Sequence, residues 1–218
     1  MVLLEMAVGC MYAFGAAWTV GAVYFSFRAP GGARGKLAHF IRTLIPEPWL
    51  LVLAPAFSYL VSLVPKGVWA SLRFWYPAIA LPGALLMVAS VVLLLWARWV
   101  LGTMWASKPL VQEGHELRTS GPYAVVRHPI YAGFAGLLFG GMLTAGFGAW
   151  IAWLLGGLAF VAWRVRVENR MMTETFGDAY RDYSARVPAL VPFRYGLRRK
   201  ARDPRRPAAE PESTDVRA

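Results

Sequence analysis

Between Gly121 and Gly133 the chain reads GPYAVVRHPIYAG, a charged, turn-forming stretch that runs directly into apolar sequence. Tyr123, Arg127, His128 and Tyr131 supply a cation, a titratable ring and two phenols where headgroups would meet hydrocarbon. Polar groups at that depth cost free energy unless a partner or ligand satisfies them. His128 precedes Pro129, and proline suits the first turn of a helix because it has no amide hydrogen to lose there. The imidazole should then stand beside a helix N-terminus, whose free amides and dipole attract an anion such as a carboxylate, with Arg127 reinforcing the attraction. Further on, Arg164 and Glu168 are four residues apart, so a helix would present both on one face, toward the same cavity. Glu168 could receive an ammonium or ribose hydroxyls, while the rings of Tyr123 and Tyr131 could stack on a purine or face a sulfonium. One molecule that unites carboxylate, ammonium, purine and sulfonium is S-adenosyl-L-methionine; other anions held at helix N-termini satisfy part of the same set.

The same residues also have readings that need no ligand. Gly121 to Tyr123 can be a plain turn, Arg127 can snorkel to the interface, and His128 can cap a helix. Arg164 can be a positive-inside anchor, and Glu168 can pair with Arg164 or Arg166 on the helix surface. Lys108 and His115 read as solvated loop residues. Trp49, Trp75, Trp99 and Trp105 fall near the ends of apolar runs, as an aromatic belt would place them.

The elements that must position these groups are apolar. Hydrophobic residues make up 57% of the 218-residue chain and charged residues only 16%, a composition that excludes an ordinary soluble domain. Five apolar runs stand out: Leu3 to Phe27, Trp49 to Val64, Tyr76 to Leu101, Ile130 to Thr144 and Phe147 to Trp163. The first and third easily span a hydrocarbon core of about 30 Å, and the others are short or marginal. The fold expected is all-α, a polytopic membrane bundle of about five spans, the last two forming a tight hairpin around Ala145 and Gly146. Gly136 and Gly140, like Ala152 and Gly156, have the four-residue spacing of small residues that lets membrane helices approach closely. Beyond Trp163, Val167, Met171, Met172, Phe176, Tyr180, Tyr183 and Val187 recur mostly every three or four residues, predicting an amphipathic helical segment broken at Gly177. Residues 1–101 read as a three-helix scaffold, 102–197 as the catalytic half, and 198–218 as a disordered basic tail.

Charge sets the orientation. The loop from Arg28 to Pro48, the segment from Gly102 to Pro129 and the C-terminal region from Arg164 are basic, which places the N-terminus outside and the C-terminus in the cytoplasm. The first run lacks a basic leader and carries Glu5, so it reads as a retained span and not a cleaved signal. The net charge of +11 is concentrated beside the expected membrane, where anionic lipid explains it better than nucleic acid. Cys10 is the only cysteine, and His39, His115 and His128 are too few and too scattered for a histidine-rich metal centre. The abundance of Ala, Gly and Arg suggests a bacterial inner-membrane protein.

Two blocks, HELRTSGPYAVVRHPIYAG from His115 to Gly133 and RVRVENRMMTETFGDAYRDYSARVP from Arg164 to Pro188, resemble the isoprenylcysteine carboxyl methyltransferase family, within the group that includes phospholipid methyltransferases. The second block carries the family's pattern at Phe176, Gly177, Tyr180, Tyr183, Val187 and Pro188. The resemblance implies a helical bundle whose cytoplasmic C-terminal half encloses S-adenosyl-L-methionine, with a lipid-facing entrance for a lipophilic or prenylated substrate. By the same resemblance, cofactor contacts fall on His115, Glu116, Leu117 and Arg118, on Tyr123, on His128, Pro129, Ile130 and Tyr131, and on Glu168. Arg164 matches the arginine assigned to the substrate carboxylate, so Arg164 and Glu168 are the expected catalytic pair. Lys108 corresponds to a variable contact that Gln112 could replace. Where the family often has two consecutive acids, this chain has Glu168 and Asn169, which leaves one acid for the cofactor.

Methyl transfer displaces a sulfonium in line, so a carboxylate or thiolate acceptor, already ionised, needs only positioning and desolvation. An ammonium would have to lose a proton first, with Glu168 or His128 assisting. Rivals to a prenylcysteine-type enzyme are a phospholipid or small-thiol methyltransferase, a nicotinamide-dependent reductase and a non-catalytic membrane scaffold.

Overall fold

Two helices of this chain begin at a proline, Pro77 and Pro129, and three end at a glycine with positive φ, Gly102, Gly146 and Gly177. The computed structural model describes residues 2–29, 32–44, 50–104 and 117–192. Its helices are α1 (Val2–Arg28), α2 (Ala33–Leu44), α3 (Leu50–Leu63), α4 (Lys66–Ser71), α5 (Pro77–Leu101), α6 (Pro129–Ala145), α7 (Trp150–Phe176) and α8 (Asp178–Arg186). Short 3-10 turns cover Gly102–Met104 and Gly121–Ala124. Pro77 and Pro129 open α5 and α6 in their first turns. Gly146 closes α6 with φ 84°, its amide donating back to the Met142 carbonyl, and Gly177 separates α7 from α8 with φ 52°. Among the described residues no strand forms; a single bridge pairs Arg73 with Phe147 at the hairpin tip.

Among the described residues two helices are long and apolar enough to cross a membrane, Pro77–Met104 and Trp150–Phe176, with Leu51–Leu63 and Pro129–Ala145 shorter apolar helices. The five expected runs correspond to α1, α3, α5, α6 and the first part of α7. The last apolar run and the amphipathic segment expected beyond Trp163 form one helix up to the break at Gly177. Helix α7 continues unbroken through Arg164, Glu168 and Asn169 to Phe176, because residues 164–176 contain no proline or glycine to interrupt it. The loop expected between the first two runs contains α2, and Lys66–Ser71 forms α4.

The bundle centres on α5. Helix α6 packs against it through glycines: a Cβ on Gly140 would meet the Gly83 carbonyl at 2.6 Å and Met87 Cγ at 2.8 Å, and one on Gly133 would meet Leu94 Cγ at 2.6 Å. The small-residue spacing at 136 and 140 therefore serves α5, while Gly156 faces Phe57 of α3, at 2.6 Å from a notional Cβ. Close backbone approach supplies the dispersion contact that holds helices together where lipid removes the hydrophobic driving force. Met87, Val91, Leu94 and Leu137 form the buried cluster, with Phe14, Trp18 and Ile130 against it. Helix α2 is pinned to α1 and to the turn after α5 by His39, whose Nδ1 lies 3.1 Å from Ser26 Oγ and whose Nε2 lies 3.1 Å from the Thr103 carbonyl.

Candidate active site

The α6 to α7 hairpin brings the start of α6 and the far half of α7 to one end of the bundle. There the His128 imidazole is buried, and its Nδ1 lies 3.8 Å from Glu168 Oε2. Its Nε2 lies 3.0 Å from Asn169 Oδ1. The Tyr131 ring sits 5.7 Å from the His128 ring, and Arg164 Nε donates to the Tyr131 hydroxyl at 3.2 Å. Tyr131 is thus within interaction range of both Arg164 and Glu168. Arg164 is buried despite its charge, with only 7% of its surface exposed, whereas Glu168 is partly open to solvent. A buried guanidinium beside a half-open carboxylate can orient an anion and a cation of one ligand at once.

The segment that carries His128 is locked from below by α8 and by Pro188 and Ala189 beyond its end. The amide of Arg127 donates to the Pro188 carbonyl at 2.8 Å, and that of His128 donates to the Ala189 carbonyl at 3.0 Å. The Tyr183 hydroxyl donates to the Tyr123 carbonyl at 2.6 Å. Burial, followed by the nearby Tyr180 phenol, pushes the Tyr183 phenol up to about 12. Burial, followed by the Glu168 carboxylate, holds Tyr123 well above the usual tyrosine range, so it acts as a neutral phenol.

Of the residues expected at the site, Tyr123, His128, Tyr131, Arg164 and Glu168 come together. Leu117 and Arg118 are half-buried ahead of the Gly121–Ala124 turn. Pro129 is fully buried, and Ile130 packs on the α5 cluster, so their side chains set the helix against its neighbour. Lys108, Gln112, His115 and Glu116 lie outside the described residues. The ring of His128 makes no capping hydrogen bond to α6. Two residues to which the sequence assigned no contact hold the turn that carries His128: Asn169, which accepts from Arg127, His128 and Tyr180, and Pro188, whose carbonyl accepts from the Arg127 amide. The one signal for Asn169 in the sequence is its place next to Glu168, where pattern alone shows only a missing acid.

The start of one apolar helix and the polar end of the next thus bring a cluster of polar side chains together at one end of the helical bundle. Residues 79–179, which comprise most of α5 with α6 and α7, match the model of the phospholipid methyltransferase family. Protein-S-isoprenylcysteine O-methyltransferase B of Arabidopsis thaliana is 38% identical over 84 residues, 38% of this chain and 42% of the relative. Protein-S-isoprenylcysteine O-methyltransferase of Schizosaccharomyces pombe is 37% identical over 80 residues, 36% of this chain and 34% of the relative. Methanethiol S-methyltransferase 2 of Bradyrhizobium diazoefficiens is 36% identical over 88 residues, 39% of this chain and 32% of the relative. The chain thus spans less than half the length of the curated relatives it matches.

Proposed function

We propose that this chain is an integral-membrane S-adenosyl-L-methionine-dependent methyltransferase that moves a methyl group to a lipophilic acceptor. The observation that carries the reading is the 3.8 Å separation of His128 Nδ1 and Glu168 Oε2, beside buried Arg164, inside the region that matches the family. The donor and acceptor set fits the cofactor. Glu168 is the acid for an ammonium or a ribose, and Tyr123 and Tyr131 are neutral aromatic faces for a purine or sulfonium. When bound, S-adenosyl-L-methionine supplies an electrophilic methyl on sulfur. The protein's part is to orient the acceptor, with Arg164 holding an anionic group and the surrounding helices excluding water. In this reading the chain crosses the bilayer about five times and turns its C-terminal half, with Lys108, His115, Glu116, Leu117 and Arg118 at the cofactor, toward the cytoplasm.

The acceptor is a carboxylate on a prenylated cysteine or, in a second reading, a small thiol or a phospholipid amine; the methanethiol methyltransferase among the relatives favours the thiol within that second reading. Incubating detergent-purified protein with methyl-labelled cofactor and, in parallel, a prenylcysteine, a small thiol and a total lipid extract tests both. Labelled product from one acceptor, absent from a H128A/E168A variant, supports the proposal. Retained cofactor binding with no product from any acceptor would leave a scaffold.

A further inference from the structure

Asn169 Oδ1 lies within hydrogen-bonding distance of three groups: Arg127 Nη1 at 3.3 Å, His128 Nε2 at 3.0 Å and the Tyr180 hydroxyl. A guanidinium only donates, so the amide atom it faces is the oxygen, and the other two partners of that oxygen must donate as well. His128 Nε2 therefore carries a hydrogen. In the neutral ring the remaining nitrogen, Nδ1, is then a bare lone pair, and it is the nitrogen that faces Glu168. Arg127, the cation expected to strengthen an anion site beside the helix start, is instead turned to Asn169, with its guanidinium 5.9 Å over the Tyr180 ring.

We propose that Asn169 is a positioning residue that fixes the tautomer of His128, so that Nδ1 and the Glu168 carboxylate together receive a hydrogen-bond donor and not a carboxylate. The inference deepens the methyltransferase reading and rests on it for the identity of the ligand. The donor is either the ammonium of the cofactor or the thiol or amine of the methyl acceptor. In both cases the wall of the site formed by His128 and Glu168 offers lone pairs, and the anionic part of any ligand is left to Arg164. Asn169 thus does the work of the missing second acid without its charge. A neutral amide oxygen gathers Arg127, His128 and Tyr180, while among the described residues Glu168 remains the sole carboxylate at this wall.

The tautomer can be read without cofactor or turnover, so its failure is separable from failure of the methyltransferase reading. Nitrogen-15 spectra of histidine-labelled full-length protein in detergent, at about pH 8.5 so that an ordinary imidazole is neutral, are assigned by loss of one signal pair in H128N. The expected result is a protonated Nε2 and a pyridine-like Nδ1 in the wild type. N169D should retain it, because a carboxylate accepts the same hydrogen, and N169L should show a mixture of tautomers. A protonated Nδ1 in the wild type, or an unchanged tautomer in folded N169L, would overturn the proposal; N169D keeps the comparison available if N169L fails to fold. Calorimetry with S-adenosylhomocysteine and its deaminated analogue then identifies the donor. If it is the ammonium, N169L weakens the parent about tenfold and leaves the analogue unchanged, the size of one lost hydrogen bond to a charged group. If it is the acceptor, both nucleosides keep their affinity and KM for the thiol or amine rises about tenfold instead. Wild-type values throughout in N169L would overturn the proposal.

Discussion

The hydroxyl of Tyr183 in α8 donates a 2.6 Å hydrogen bond to the main-chain carbonyl of Tyr123, and both residues are buried. This contact, together with the amides of Arg127 and His128 on Pro188 and Ala189, makes the surface helix α8 a clamp on the turn that carries His128. The start of α6 and the turn before it are therefore held from both sides, by α5 through the glycines of α6 and by α8 and the residues after it through hydrogen bonds.

Removing the Tyr183 hydroxyl leaves a buried carbonyl without its donor, so Y183F should destabilise the protein by about 1–3 kcal/mol, seen as a lower thermal midpoint in detergent. The pH dependence has a defined sign. The folded phenol sits at about 12 against 10.0 unfolded, so its contribution is complete below pH 10 and is lost as pH rises from 10.0 toward 12. The wild type should lose stability through that window more steeply than Y183F.

At Gly140 a methyl would enter the space of the Gly83 carbonyl and Met87, and backbone cannot swing aside as a side-chain tip can. G140A should therefore cost about 1–3 kcal/mol by overpacking, and G140L more. At Gly136 the nearest obstacle is Ser90 Oγ, the end of a rotatable side chain, so G136A should cost less than G140A in the same melting assay.

Arg164 reaches Tyr131 through Nε, so loss of the phenol removes that hydrogen bond without removing the charge. Y131F should raise KM for an anionic acceptor about three- to tenfold with little change in folding, as expected for one lost orienting hydrogen bond. R164A should lower kcat/KM for a carboxylate acceptor by about 10–100-fold, the range of hydrogen bonds to charged groups, and affect an uncharged thiol far less. Steady-state kinetics with the two acceptors side by side separate these effects.

Much of the site is legible in the sequence because its signals are local. Proline after His128 announces the start of α6, Gly177 announces the break before α8, and the four-residue spacing of Arg164 and Glu168 puts both on one face of α7. Apolar runs locate α1, α3, α5 and α6 nearly to the residue, since helices in lipid must be long and apolar. Helix α2 escapes such a reading because ARGKLAHFIRTL is amphipathic and has no apolar run to count. The contacts of Asn169 are not legible: an amide beside an acid has no pattern, and its three donors come from two other segments of the chain. Nor can spacing tell that the glycines of α6 serve α5, because periodicity names a face and not its neighbour.

The proposed function makes cofactor binding depend on the His128 and Glu168 side chains, whose Nδ1 and Oε2 lie 3.8 Å apart. Its most direct test is calorimetric titration of S-adenosyl-L-methionine into full-length protein in detergent, compared with a H128A/E168A variant whose folding is confirmed by circular dichroism. Saturable binding by the wild type, weakened by about 100-fold or more in the variant, is the predicted result for the loss of two polar contacts, one of them charged. Equal affinity in the folded variant and the wild type would contradict it.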